Sequence, residues 1–474
     1  MAVAIKYFQP IKGEKVGFGR APIKQAIADA ILRTEHTFYG PAMKRARDLT
    51  DSAVEALAGT EQEIVTREDV QNAVKQAMWK IGAYDLAEEY LLYGAGVELV
   101  ERGLIRADQF TPDGVPREEV SKIYGWNEKH DCHTIKGLNG WFRGEGGRDV
   151  RELIRAAEEQ KRVELEAAAQ EFLGKQGMRM LIVCGPSSSG KTTTANRVCG
   201  TISELTHGNL TFRPLEVDMF FQPKTANQKY TYTVDGKPVY DWDYETPFAY
   251  DLAALNEVLE RIMRGETVWM PKYDFGTGTN IPNATEFPAL GPNEVLVFDC
   301  LHALYPDITA AVPNEQKFKL YIEAMNTIHG GDRYLRWTDV RLIRRMLRDV
   351  ATRGHDTLLT LVHWHLVRKG EGAMFPLINT ADVRINGGLA YELPVFKAHA
   401  ERFFRKYLEI LKRNPQLGDA LLRAERVCEL FDKLETATEE QMAHIPSDSI
   451  LREFIGGSKF FPRFPYGKLS EYGA

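Results

Sequence analysis

The 474-residue chain lacks a long hydrophobic run. No apolar stretch approaches the roughly 18 residues that span a bilayer, so a membrane helix is not expected. It also lacks an excess of basic charge: 60 Lys and Arg against 66 Asp and Glu leave a net charge of −6. That balance argues against a general nucleic-acid binder. Cysteines are few: five, odd in number and widely spaced. A disulfide framework is therefore not expected, and a reducing compartment is. Residues 1–10 show no signal-peptide core, so a cytoplasmic chain is expected. Neither internal repeats nor low-complexity tracts occur. What is present is 44% apolar and 27% charged residues, the composition of a folded globular protein with sizeable cores. The length suggests about three domains at roughly 150 residues each.

Residues 1–95 follow a mainly helical pattern. Thr66 precedes Val70, Val74, Ala77 and Met78 at helical spacing, which predicts a capped helix ending at Gly82, with a second helix from Asp85 to Tyr93. Residues 96–148 read as irregular and Gly-rich. Within them His130-Asp-Cys132-His133 could hold a metal, but it lacks a second ligand pair, so a solvated linker is the simpler reading. A long amphipathic helix is predicted from Asp149 to about Gln176. From 177 to about 400 apolar strands alternate with helices. This implies an α/β domain with a parallel sheet covered by helices on both faces, followed by a helical extension to 474.

The chemistry starts at Gly185-Pro-Ser-Ser-Ser-Gly190-Lys191-Thr192-Thr193. It follows the strand pattern of residues 178–184 and opens a helix. Glycines let backbone N–H groups curl around phosphate oxygens, and the helix N-terminus faces the same anion. Ser187, Ser188, Ser189 and Thr193 complete the loop. Lys191 would reach the β- and γ-phosphates of ATP, and Thr192 would ligate Mg²⁺. Val295-Leu-Val-Phe-Asp299 is an apolar strand ending in an acid, a second Mg²⁺ ligand in such sites. Asp218, after Leu215-Glu-Val, stands at another strand end, where ligands sit in this architecture, and could take a proton from an attacking hydroxyl. Tyr240-Asp-Trp-Asp243 and Pro271-Lys-Tyr273-Asp-Phe275 mix rings with carboxylates, as a polar, flat substrate requires; packed aromatic hairpins would look the same. Five arginines fall within residues 341–353, with Arg341, Arg345 and Arg348 on one helical face. Such crowding is costly unless a polyanion such as a triphosphate arrives.

The order of these motifs resembles the uridine kinase and phosphoribulokinase family of P-loop kinases. The likeness is greatest to bacterial uridine kinase-like proteins with an extra N-terminal domain, whose ending Ser-Ile-Leu-Arg-Glu-Phe-Ile-Gly-Gly-Ser is matched at 449–458. The resemblance spans roughly 150–460. It implies a P-loop NTPase-type fold and an ATP- and Mg²⁺-dependent kinase with Asp218 as base. It further implies Asp243 on a ribose, Tyr273 and Phe275 at a nucleobase, and Arg345, Arg348 and Arg353 as lid arginines, Arg345 also near the sugar. Three departures stand out: Gly278 where the family has a base-reading His, Asp299-Cys300 for Glu-Gly, and Phe221 for Tyr. Residues 1–95 resemble an ATP-cone, through Ile64-Val-Thr-Arg-Glu-Asp-Val-Gln and Gly82-Ala-Tyr-Asp-Leu-Ala-Glu-Glu-Tyr-Leu-Leu-Tyr93, with a less similar first half. The organisation expected is thus an ATP-cone-like regulatory domain at 1–95, linker and long helix at 96–176, and kinase domain at 177–474. The partner expected is a small molecule, a nucleoside first, and not nucleic acid or membrane. Related kinases and cones associate, so a homo-oligomer is expected. A phosphorylated sugar or other alcohol as acceptor, with Lys224 and Lys229 as extra cations, and a nucleotide-sensing regulatory ATPase are the rival readings.

Overall fold

The computed structural model describes residues 5–10, 13–35, 39–60, 62–112, 114–330, 335–353 and 357–461, and only the backbone at 33, 35, 352 and 353. The chain divides into two compact units. One is Met1–Val115 with Arg368–Asn379, the other Pro116–Val367 with Thr380–Ala474.

In the first unit, strands β1 (Tyr7–Gln9), β2 (Val16–Gly17) and β3 (Ile64–Thr66) form a small sheet of order β2-β1-β3. Helices α1 (Arg20–Glu35), α2 (Tyr39–Ala58), α3 (Arg67–Lys80) and α4 (Tyr84–Arg102) make the rest mainly helical, as the pattern predicts. Thr66 caps α3. Its hydroxyl accepts from the Asp69 N–H at 3.2 Å, and the Asp69 carboxylate accepts from the Thr66 N–H at 2.8 Å. This reciprocal capping satisfies two N–H groups that α3 cannot. Val70, Val74, Ala77 and Met78 then face a core shared with Ile27, Ile31, Leu49 and Leu57.

The reading of 96–148 as irregular is corrected. After α4, which runs on to Arg102, come α5 (Arg117–Lys129) and α6 (Ile135–Arg143). Nor is His130–His133 a solvated linker. Cys132 is buried with its thiol on the Asn127 carbonyl, and the His130 ring stacks on Trp126. Among the described residues no cluster of His, Cys, Asp or Glu could hold a metal. The reason is tertiary: glycines that suggested loop, such as Gly137, let the α6 backbone approach Asp131, where a Cβ would come within 2.4 Å of its carbonyl oxygen.

The second unit is built on α7 (Val150–Gly174) and a five-stranded parallel sheet. Its strands are β4 (Met180–Cys184), β5 (Thr211–Leu215), β10 (Glu294–Asp299), β11 (Lys317–Glu323) and β12 (Val383–Asn386), in the order β12-β11-β4-β10-β5. Two antiparallel hairpins lie between β5 and β10 in sequence: β6 (Lys229–Val234) with β7 (Lys237–Trp242), and β8 (Val268–Asp274) with β9 (Thr279–Phe287). Every residue of β4 is buried. Both faces are therefore covered, which explains why the strand reads as a continuous apolar run. The helices are α8 (Lys191–Leu205), α9 (Leu252–Met263), α10 (Trp337–Arg348), α11 (Thr357–Glu371, of which the residues from Arg368 belong to the first unit), α12 (Glu392–Lys412), α13 (Gly418–Lys433), α14 (Glu439–Met442) and α15 (Arg452–Ile455). Because β4, β10 and β5 are neighbours, their carboxyl ends bring three separated segments together. Among the described residues no helix is long and apolar enough to cross a membrane.

Candidate active site

The loop after β4 turns sharply into α8. Ser188 and Gly190 adopt φ values of +62° and +96°, and a positive φ at a serine needs support from its surroundings. Helix α10 supplies it from behind. Arg341 donates to the Ser187 carbonyl, and Arg344 to the Ser188 and Ser189 carbonyls, each at 3.3 Å. Both guanidinium groups are fully buried and neutralised, Arg341 by Glu323 at 2.7 Å and Arg344 by Glu392. With its carbonyls turned to α10, the loop is free to direct N–H groups inward. The hydroxyls of Ser188 and Ser189 are buried without a protein partner, which fits a loop whose polar groups await a ligand.

Lys191 begins α8 and donates to the Pro186 carbonyl at 3.3 Å. The exposed Thr192 donates to Asp299 at 2.6 Å, which joins the two oxygen donors expected to hold Mg²⁺. Thr193, fully buried, donates to Glu453 at 2.8 Å. Gly387, from the turn after β12, closes on the loop so tightly that a Cβ there would lie 2.3 Å from the Ser189 carbonyl oxygen.

Asp218 sits in a short turn, Val217–Phe220, just beyond β5. It is exposed to solvent, and Tyr250 donates to it at 3.4 Å. Burial, with Cys300 and Asp218 nearby, holds the Tyr250 hydroxyl protonated well above its usual range. Asn280 of β9 donates to the Met219 and Phe221 carbonyls, both at 3.0 Å, and so ties the second hairpin to this turn. Phe221 is the centre of an aromatic wall. It stacks on Tyr250 at 4.5 Å and meets Tyr244, Tyr273 and Phe275 edge-on. The loss of a hydroxyl at position 221 thus leaves a ring that packs rather than a hydrogen bond. Tyr273 is buried and shares a hydrogen bond with Tyr244 at 2.9 Å, while Phe275 is 63% exposed. Asp243 is buried and accepts from the Glu245 N–H. Gly278 has φ +70°, and a Cβ there would fall 2.3 Å from the Lys224 Cδ, so the stem of Lys224 fills that space.

The arginines separate by depth. Arg345 donates to the Ser187 hydroxyl at 2.7 Å and pairs with Glu245 at 3.1 Å and Asp349 at 3.2 Å. Arg348 reaches the same hydroxyl at 3.4 Å and faces Glu453 at 3.9 Å. The side chain of Arg353 lies outside the described residues. The expectation that these crowded charges require a polyanion is corrected. Among the described side chains, Arg341, Arg344, Arg345 and Arg348 already face Glu323, Glu392, Glu245, Asp349 and Glu453.

Sequence reasoning missed three contributors. Glu245, two residues beyond Asp243, could have been found in the same motif. Glu453 stands in the ending already singled out. His363 had no local signal. It bridges Asp241 at 2.5 Å and Glu245 at 3.3 Å. Burial disfavours its charge, but the two carboxylates prevail and lift it to about 9. Burial likewise opposes ionisation of Glu245, yet Arg345 and His363 keep its carboxyl below the usual range. A continuous polar chain therefore runs from the first hairpin through His363, Glu245 and Arg345 to the loop.

Residues 180–386 match the model of the phosphoribulokinase / uridine kinase family. Uridine-cytidine kinase 2-B of Danio rerio is 29% identical over 180 residues, which are 37% of this chain and 59% of that protein. Uridine kinase of Deinococcus deserti is 27% identical over 172 residues, 36% of this chain and 69% of the relative. Uridine kinase of Ureaplasma urealyticum is 24% identical over 185 residues, 39% and 75%. The family resemblance carried by the motifs is thereby borne out over residues 180–386.

Proposed function

We propose that this chain, whose residues 180–386 match the phosphoribulokinase / uridine kinase family, transfers the γ-phosphate of ATP to a hydroxyl of a small molecule, in the first instance a nucleoside. The observation that carries this reading is the meeting of two half-sites at adjacent strand ends. Lys191, Thr192 and Asp299 would form a phosphate and metal end, with Thr192 on Asp299; Asp218, Tyr250 and the rings around Phe221 would form an acceptor end. Thr192 and Asp299 would hold Mg²⁺, which when bound neutralises charge on the β- and γ-phosphates. Lys191, Arg345 and Arg348 would stabilise the equatorial oxygens as charge moves toward the leaving ADP. The acceptor oxygen bonds to the γ-phosphorus as the bond to the bridging oxygen breaks, and its proton passes to Asp218. The transition state is loose, so positioning outweighs proton removal. The names of the relatives favour a nucleoside.

A second reading has its own observation. Lys224 and Lys229 hold their ammonium groups 5.1 and 5.7 Å from the Trp242 ring centre, and among the described residues neither forms an ion pair. Two such cations would suit a phosphorylated acceptor. The test is ADP release with a panel of nucleosides, sugars and sugar phosphates. Acceptor-dependent release supports a kinase and names the acceptor. Release independent of any acceptor would overturn it in favour of a nucleotide-sensing ATPase.

A further inference from the structure

The ending at 449–458 plays no part in the phosphoryl transfer just described, yet it packs on the loop that would carry it out. Ile450, Leu451 and Phe454 are buried. A Cβ on Gly190 would come within 2.6 Å of the Ile450 side chain, and Phe454 lies 5.1 Å from the Arg344 guanidinium that supports the loop. From this anchored segment Glu453 reaches inward. Its carboxylate accepts the Thr193 hydroxyl proton at 2.8 Å with one oxygen, and its other oxygen lies 3.9 Å from Arg348. The side chain of Glu453 is only 9% exposed. Thr193 lies in the first turn of α8, where the helix presents its positive end, and Arg348 also touches the loop hydroxyl of Ser187. A negative group therefore already occupies one donor and faces a cation at the place to which phosphates would be drawn.

We propose that Glu453 is an internal counter-anion of the nucleotide site, holding Thr193 and Arg348 until the phosphates of ATP displace it. The proposal rests on the reading of 185–193 as a phosphate loop. The Thr193 hydroxyl has one proton and cannot donate fully to a carboxylate and a phosphate at once. A weakly screened carboxylate beside an incoming polyanion also repels it. ATP binding and the seating of Glu453 therefore oppose each other, and the opposition is reciprocal. Glu453 acts through Thr193 and Arg348, which makes it a positioning residue.

The experiment is calorimetric titration of the full chain with Mg-ATP, for the unaltered protein and for Glu453→Gln, Glu453→Ala, Thr193→Val, Glu453→Gln with Thr193→Val, and Lys191→Ala. Glu453→Gln keeps the shape and removes the charge, and should bind ATP about tenfold tighter. Its KM for ATP should fall with it. Glu453→Ala, in which no amide can replace the carboxylate on Thr193, should change affinity in the same direction. The gain should shrink in the Thr193→Val background, because part of it comes through that hydroxyl. Unchanged or weaker ATP binding in both Glu453 variants overturns the counter-anion role. Lys191→Ala separates the two failures. If it binds the same number of ATP molecules as tightly as the unaltered chain, the phosphate-loop reading fails; if it binds one fewer while the Glu453 variants show no gain, only the counter-anion proposal fails.

Discussion

At the scale of single residues, the site divides into groups that would touch phosphates and groups that hold those in place. Lys191 belongs to the first kind. On the proposed function its replacement by Ala would remove the main point cation from the β- and γ-phosphates, and turnover should fall roughly a thousandfold, about 4 kcal/mol in the barrier. Acceptor-dependent ADP release checks this. Asp218→Asn should leave ATP affinity intact and lower turnover by about a hundredfold or more, the span of general-base loss; a titration alongside the rate assay separates the two. His363 belongs to the second kind. Its value in the folded chain, about 9, lies above the ordinary 6.5. The stability it provides is therefore complete below about pH 6.5 and lost as pH rises through 9. Urea unfolding at pH 6.5 and pH 9.5 should show a decline of up to about 3 kcal/mol from this group, and His363→Gln should flatten it. Lys191 and Asp218 could be singled out from sequence because each lies within a few residues of the end of its own strand, β4 or β5. His363 could not, since its carboxylates are 122 and 118 positions away.

At the scale of elements, α10 shows how periodicity falls short. Its spacing places Arg341, Arg345 and Arg348 on one face, and the helix does form over them. Which arginines point inward depends on Glu323 at the end of β11 and Glu392 at the start of α12, neither of them near in sequence. The innermost pair, Arg341 and Arg344, braces the loop from behind. The turn after β12 is a second brace. Gly387→Ala would press a methyl group onto the Ser189 carbonyl oxygen, now 2.3 Å from the Cβ position. Backbone cannot swing aside as a long side chain can, so the loop must shift. A loss of about 1–3 kcal/mol in stability is expected, with weaker ATP binding, measured by thermal unfolding and titration on the same sample. The helices in 96–148 escaped notice for a related reason. Their glycines serve close packing, which composition alone does not distinguish from a loop.

At the scale of the whole molecule, the chain returns to its first unit late, at Arg368–Asn379. Within that unit Thr111 donates to the Pro376 carbonyl at 2.9 Å, and a Cβ on Gly114 would lie 2.8 Å from the Phe375 Cβ. Removal of residues 1–115 would uncover Phe375, which is buried against Gly114, at roughly 1.5–3 kcal/mol for a large apolar side chain. A chain starting at 116 should therefore melt lower or aggregate, as thermal unfolding and gel filtration would show. A regulatory role for the cone-like residues is better tested in the full chain. If they bind nucleotide, as we propose from their resemblance to an ATP-cone, Lys191→Ala should retain binding of dATP; a silent titration would end that proposal. The sequence by itself determined the parallel α/β sheet, the phosphate loop at 185–193, the strand-end acids and the family resemblance. All of these follow from residues close together in the chain, where apolar runs, glycines and helix starts act locally. Tertiary structure alone decided which arginines are buried, that Glu245 and His363 link the first hairpin to the loop, and that Glu453 faces Thr193. Those outcomes depend on charge pairing between distant segments, which the chain acquires only when the sheet brings them within a few ångströms.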